Sequence, residues 1–176
     1  MARIPLQDPE HASEAVQPIF HEIERAFGFV PNIFRAYANH PALLRSNWEK
    51  LKAVLMGGEL PRALKEGIAL AVSADNGCAY CVAAHGQALQ GLGVSAERVE
   101  ALKAGAAGHG FGDAEAALLE MARVVNRDPG GLEEAALARV REAGWSDAQI
   151  VEAIGVVEIF AGFNRFLDAL EVEIDF

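Results

Sequence analysis

The sequence has little cysteine and little positive charge. It contains 2 cysteines among 176 residues, and 25 aspartates and glutamates outnumber 15 lysines and arginines, which gives a net charge of -10. Two cysteines exclude a disulfide-rich scaffold. A surface of this charge repels a phosphate backbone, because nucleic-acid binding depends on clustered lysine and arginine. We therefore expect no nucleic-acid partner.

Long uninterrupted apolar runs are also absent. A membrane-spanning helix needs roughly 18 or more consecutive apolar residues, and no stretch of the chain reaches that length. The N-terminal stretch MARIPLQDPEHASEAVQPIF is broken by prolines and acidic residues, which does not fit a secretory signal. We expect a cytoplasmic protein with no membrane partner, in which thiols are kept reduced.

Alternating strand patterns and hairpin signals are lacking too, whereas nearly every segment repeats apolar residues at helical period. The sequence predicts an all-α fold, a single-domain helical bundle over residues 1–176 with roughly eight helices. Its apolar share of 52% leaves apolar surface for subunit contacts and favours a homo-oligomer. The predicted helices cover about 18–27, 41–56, 61–76, 78–91, 96–104, 114–125, 132–143 and 146–170.

Local signals at the helix ends support these boundaries. A proline suits the first turn of a helix, glycines favour its end, and serine or aspartate caps its start. The connection AGHGFGD follows no strand, so its glycines are not interpreted as a nucleotide loop. The end signals are Pro41, Pro61, Gly57-Gly58, Asn76-Gly77, the caps Ser95 and Asp113, and a capping box of Ser146 with Gln149.

Both cysteines lie in one short stretch, NGCAYCVAAHG at 76–86. At about 100° per residue, Cys81 lies about 60° from Cys78 and His85 about 40° from Cys81, so one helical stripe carries all three. The first turn of a helix favours thiolate, and an imidazole one turn away can accept a thiol proton. A redox or metal-binding pair is the expectation.

Glu66 is a candidate third member of this group. It lies on the preceding helix, and an antiparallel return after Asn76-Gly77 could bring its carboxylate to His85, where it would orient the imidazole. A solvated surface glutamate is the simpler interpretation of its position. Zinc is the alternative for the whole cluster, but the sequence has no second Cys-x-x-Cys and no His-x-x-x-His pair to complete a closed site.

One further motif, FAGFNRF, places Phe160, Phe163 and Phe166 at helical spacing. We interpret these rings as core or subunit packing, in preference to a substrate pocket.

The stretch LPRALKEGIALAVSADNGCAYCVAAHG carries a glutamate, eleven intervening residues and then Cys-x-x-Cys-x-x-x-His. This pattern resembles the redox members of the alkylhydroperoxidase D and carboxymuconolactone decarboxylase-like superfamily. The flanking stretches GFVPNIFRAYANHPALLRSNWEKL and FGDAEAALLEMARVVNRDP are similar to its peroxidase-related subgroup. The similarity extends from about residue 28 to the C-terminus, with the redox-motif core at about 60–104.

The resemblance implies an all-helical subunit that assembles as trimers or hexamers and reduces small hydroperoxides through thiols. On that analogy Cys81 attacks the peroxide, Cys78 resolves the product to a disulfide, and His85 with Glu66 relays protons, without a metal or other cofactor. A sulfenic acid beside a second thiol does condense readily to a disulfide. The resemblance further implies a peroxiredoxin or a lipoyl-bearing protein as redox partner.

Two alternatives stay open, a disulfide oxidoreductase for a protein partner and a zinc-stabilised module without catalysis. A lactone decarboxylase has no chemical need of a thiol pair. The sequence departs from alkylhydroperoxidase D at Tyr80, where that protein has a histidine that assists the relay. Tyrosine, with a pKa of about 10, is a poor base at neutral pH, but its hydroxyl can donate a hydrogen bond. Tyr80 is therefore a possible auxiliary residue.

Overall fold

The computed structural model describes residues 1–106 and 111–176, and the fold over these ranges is helical without a β-strand. The all-α prediction is confirmed. A π-helical turn, Lys52–Met56, continues the third helix. The helices in the described ranges are α1 Gln17–Phe27, α2 Asn32–Tyr37, α3 Pro41–Leu51, α4 Arg62–Asn76, α5 Ala79–Gly91, α6 Ala96–Lys103, α7 Asp113–Arg127, α8 Glu134–Glu142 and α9 Asp147–Leu170.

The differences from the predicted helices are small and local. Helix α2 was not predicted, because its six residues are too few to show a helical period. Asp113 is the first residue of α7 and Gly112 occupies the cap position, so the prediction of Asp113 as the cap was wrong. Residues 107–110 of the predicted AGHGFGD connection lie outside the described residues.

Helix α4 lies at the centre of the fold. All ten residues from Leu64 to Ser73 are buried, and α4 contacts α5, α6, α7 and α9. A helix that is buried on every side is placed by its neighbours, and its polar residues must find partners inside the protein. Over the described ranges, none of the helices combines the length and the apolar character needed to cross a membrane.

The reversal between α4 and α5 sets the position of the thiols. Gly77 has a φ of 75°, in the left-handed region that favours glycine, and its N–H bonds the carbonyl of Ala74. The next residue, Cys78, is the N-cap of α5. The turn therefore places the redox motif at the start of a helix that packs directly against α4.

A buried ion pair joins α4 to α9 and contacts the backbone of the segment that connects α3 to α4. The Lys65 ammonium donates to Glu152 Oε1 at 3.1 Å and to the carbonyl of Gly57, and both side chains of the pair are largely buried. Glu152 Oε2 also accepts the backbone N–H groups of Glu59 and Leu60, at 2.8 and 3.2 Å. One carboxylate thus satisfies three donors.

We expect Glu152→Ala to lower the free energy of unfolding by about 3–5 kcal/mol, because it leaves the buried Lys65 charge and two backbone donors without their acceptor. Urea denaturation measures this change. Glu158→Ala, six residues further along α9, is the matched control, since it breaks an exposed ion pair with Lys50 and should cost about 1 kcal/mol or less. Equal losses in the two variants would contradict the burial argument.

Candidate active site

Helices α4 and α5 bring Glu66 and His85 together. Glu66 Oε2 lies 2.6 Å from His85 Nδ1, and the two residues are 1% and 6% exposed. An ionised carboxylate is an acceptor, so this contact assigns the donated hydrogen to Nδ1 and leaves Nε2 free to act as a base. Glu66 is therefore not the solvated glutamate of the simpler interpretation.

Arg62 holds the other oxygen of the Glu66 carboxylate. Its Nε and Nη2 lie 2.8 and 2.6 Å from Oε1, one helical turn before Glu66. Burial opposes the charge on Glu66, but the hydrogen bond from His85 and the nearby charge of Arg62 keep the pKa of Glu66 below its ordinary value. The site therefore holds an ionised carboxylate against the imidazole. Arg62 was not predicted as a site residue, although it lies four residues before Glu66, a spacing that brings two side chains together on a helix.

The two thiols lie in the first turn of α5 and differ in access. Cys78 is fully buried, whereas Cys81 is 3% exposed and lines a cavity. A hydrogen bond between them lowers the pKa of Cys78 against the opposing effect of burial. The same bond, together with burial, raises the pKa of Cys81. Of the two thiols, Cys78 is therefore the more readily ionised.

Polar side chains from two other helices lie beside Cys81. Hydrogen bonds from Asn164 and Ser73 oppose the rise in the pKa of Cys81. Asn164 Nδ2 donates to Ser73 Oγ at 3.0 Å, and Asn76 Nδ2 donates to Asn164 Oδ1 at 2.9 Å. These residues were missed from the sequence, where the visible signal was an asparagine inside the apolar stretch of α9.

A cavity of about 450 Å³ opens onto Cys81 and His85. Phe160 and Phe163 both line it, and the ring of Phe160 meets His85 edge-on at 4.3 Å. Phe166 instead stacks on Tyr37 at 3.7 Å. The interpretation of this motif as packing holds for Phe166, while Phe160 and Phe163 are also walls of a pocket. The aromatic lining consists of Phe27, Phe29, Phe34, Tyr80, Phe160, Phe163 and Phe176.

Tyr80 directly precedes Cys81 in the sequence and also lines the cavity. Its hydroxyl donates to Asp175 Oδ1 at 2.8 Å. Burial, and then the bond to Asp175, raise the pKa of Tyr80 well above its ordinary value, so the phenol stays neutral and acts as a donor.

The zinc interpretation requires Cys78, Cys81, His85 and Glu66 to converge as ligands. Within residues 1–106 and 111–176, no group of three or more histidine, cysteine, aspartate or glutamate side chains is arranged to hold a metal ion. Glu66 is instead engaged by His85 and Arg62.

The helical fold, the first-turn thiol pair and the Glu66–His85 contact agree with the resemblance to alkylhydroperoxidase D that the sequence indicates. Residues 41–124 match the model of the carboxymuconolactone decarboxylase family. Over 85 residues the chain is 35% identical to an alkyl hydroperoxide reductase of Mycobacterium tuberculosis, in an alignment that covers 48% of this chain and 25% of that relative. The chain is therefore similar to members of the alkylhydroperoxidase D and carboxymuconolactone decarboxylase-like superfamily. The present chain spans only about a quarter of the length of the Mycobacterium tuberculosis relative.

Two solved structures share the fold over nearly the whole chain. A peroxidase-related protein from Silicibacter sp. TM1040 superposes with a TM-score of 0.88 at 25% identity, covering 99% of this chain and 92% of its own. An alkylhydroperoxidase core protein from Ralstonia eutropha JMP134 gives a TM-score of 0.90 at 24% identity, with the same coverage of 99% and 92%. The likeness therefore includes the N-terminal helices and the segment after α9.

Proposed function

We propose that this protein is a thiol-dependent hydroperoxide reductase. The observation that carries the proposal is the meeting of Cys81 and His85 at one aromatic-lined cavity, with a buried carboxylate bonded to His85. A thiol needs a nearby base to become a nucleophile, and the base needs a partner to fix its tautomer. The alkyl hydroperoxide reductase among the relatives supports the same reaction class.

The proposed reaction consumes both thiol hydrogens. The Cys81 proton passes to His85, and the Cys81 sulfur attacks the terminal peroxide oxygen. As the S–O bond forms, the O–O bond breaks, and the leaving alkoxide takes the proton from His85. Cys78 sulfur then attacks Cys81 sulfur, and hydroxide leaves with the remaining proton as water. The sum is one hydroperoxide and two thiols giving one alcohol, one water and one disulfide.

Access decides the assignment of the attacking sulfur. The pKa of Cys78 is lowered and that of Cys81 is raised, so acidity alone would favour Cys78 as the attacking sulfur. Cys78 is fully buried, however, and Cys81 lines the cavity where a substrate can enter. Attack by Cys81 therefore requires its proton to pass to His85, which lies about one helical turn away. We assign attack to Cys81 and resolution to Cys78.

Disulfide exchange with a protein partner is the second candidate function. The thiol pair could serve it chemically, but both sulfurs are buried and the wall around Cys81 is mostly apolar. Such a cavity suits a small molecule or a slender dithiol arm better than a protein disulfide. We therefore propose a lipoyl-type dithiol as the redox partner. A peroxiredoxin partner and the homo-oligomer stay predictions.

The test of the proposed function is a thiol titration with intact mass. Reduced protein receives one equivalent of cumene hydroperoxide, is quenched in acid and is then alkylated in denaturant, because the native thiols are buried. We expect a mass loss of about 2 Da and no alkylation, as disulfide formation removes two hydrogens. The double variant Cys78→Ser/Cys81→Ser is the control.

Two results would overturn the proposal. If both thiols remain alkylatable after treatment, the pair does not reduce the peroxide. If protein purified without chelator holds one equivalent of zinc and loses helicity when the metal is removed, the structural alternative takes its place.

A further inference from the structure

The segment Glu171–Phe176 returns from the end of α9 to the redox motif. Glu171, with a φ of 50°, ends α9 in the left-handed region, and Val172 next to it is buried. The Asn32 side chain donates to the carbonyl of Glu173 at 3.1 Å. The segment is therefore fixed along the start of α2.

Asp175 binds two parts of the protein at once. Its Oδ2 accepts the backbone N–H of Asn32 at 2.8 Å, and its Oδ1 accepts the Tyr80 hydroxyl at 2.8 Å. The first contact satisfies a free amide at the start of α2, and the second reaches the residue that directly precedes Cys81. Asp175 thus ties the segment to the wall of the active-site cavity.

Phe176 extends this contact into the cavity itself. Its ring meets the Tyr80 ring edge-on at 5.2 Å, and it lines the cavity together with Phe29. Phe176 is 40% exposed, so it stands where the cavity meets solvent. A ring at this position contacts the body of a substrate whose reactive end lies at Cys81.

We propose that Phe176 determines the substrate specificity of the reductase, favouring hydroperoxides with a bulky aromatic body, and that Asp175 is the residue that positions it through Tyr80. This inference rests on the proposed function. Hydrogen peroxide, little larger than a water molecule of about 30 Å³, fills a small part of the cavity and does not depend on its outer wall. An aromatic hydroperoxide does depend on it, because apolar contact with the wall contributes to its binding.

The experiment compares cumene hydroperoxide with hydrogen peroxide in steady state. We expect Phe176→Ala to lower kcat/KM for cumene hydroperoxide about tenfold, through KM, and that for hydrogen peroxide less than about twofold. Ile174→Ala is the matched control, since Ile174 belongs to the same segment and is 47% exposed. Equal changes for the two peroxides, or no change for either, would overturn the proposal.

The role of Asp175 has its own readout. Asp175→Ala should reproduce the change in KM although Asp175 touches no substrate, and Asp175→Asn should recover part of it, because the amide retains one acceptor oxygen. The double variant Asp175→Ala/Phe176→Ala should be no worse than Phe176→Ala alone. Additive losses in the double variant would show that Asp175 does not act through Phe176.

A binding measurement separates this inference from the proposed function. The alcohol 2-phenyl-2-propanol is the expected product of cumene hydroperoxide reduction, and its affinity can be measured by NMR titration without turnover. If the wild-type protein reduces no hydroperoxide, the proposed function fails. A weaker affinity for the alcohol in Phe176→Ala than in Ile174→Ala would still support Phe176 as a wall of the binding site, and equal affinity would overturn that role.

Discussion

Replacing Cys81 with serine is expected to reduce hydroperoxide turnover to the level of the reductant alone, a loss of about 10³-fold or more. A serine hydroxyl fills almost the same space, but it does not ionise near neutral pH and cannot form a sulfenic acid. Consumption of cumene hydroperoxide with dihydrolipoamide as reductant measures the loss. A circular dichroism spectrum equal to that of the wild type controls for folding.

The companion variant Cys78→Ser tests the direction of attack. Cys81 should still react once, and a sulfenic acid should accumulate as a mass gain of about 16 Da that dimedone captures. If the sulfenic acid instead accumulates at Cys78 in Cys81→Ser, the lower pKa of Cys78 decides the chemistry, and the two roles must be exchanged.

Replacing Glu66 with glutamine is expected to lower kcat about 10²-fold, because proton transfer by a positioned base contributes about 10²–10⁴-fold. The amide can still accept from His85 Nδ1, but it carries no charge to stabilise the imidazolium. Because Glu66 acts through His85, we expect the variant to change the pH profile of kcat as well as lower its value. Glu97→Gln, a change in the first turn of α6, is the control and should leave the profile unchanged.

For Glu66→Gln we also expect a change in the free energy of unfolding that depends on pH. The pKa of Glu66 is lowered in the folded protein from its ordinary value of 4.5. Its ionised form therefore stabilises the fold above about pH 4.5, and this contribution is lost as pH falls through the lowered pKa. Urea titrations should show the stability difference between wild type and Glu66→Gln at neutral pH, shrinking in acid. A difference that grows in acid would contradict the ionised assignment.

The helices were predictable because their signals are local. Pro41, Pro61 and Gly77 lie at or next to helix ends, and the Ser146–Gln149 capping box is formed as its spacing predicts. Caps and hydrophobic periods act over one or two turns, so the sequence carries them directly. The short helix α2 has neither enough residues nor a side-chain cap, and it was therefore missed.

The site was predictable in part for the same reason. Cys78, Cys81 and His85 lie on one helix, and their separation follows from helical geometry alone. The hydrogen bonds of Asn164 and the contacts of Phe176 instead join residues about 90 or more positions apart. Such contacts depend on how the helices pack, and no spacing rule within one segment contains that information.

The different burial of the two sulfurs also constrains the proposed catalytic cycle. Cys81 borders the cavity while Cys78 is enclosed, so an electron donor that reopens the disulfide reaches it through the space that the oxidant has just left. The two reactants then bind alternately to successive enzyme forms, as in a ping-pong scheme. The hydroperoxide can also bind the disulfide form and the electron donor the reduced form. An excess of either reactant would therefore slow the cycle. The protein would work best where oxidant and donor are supplied in balance.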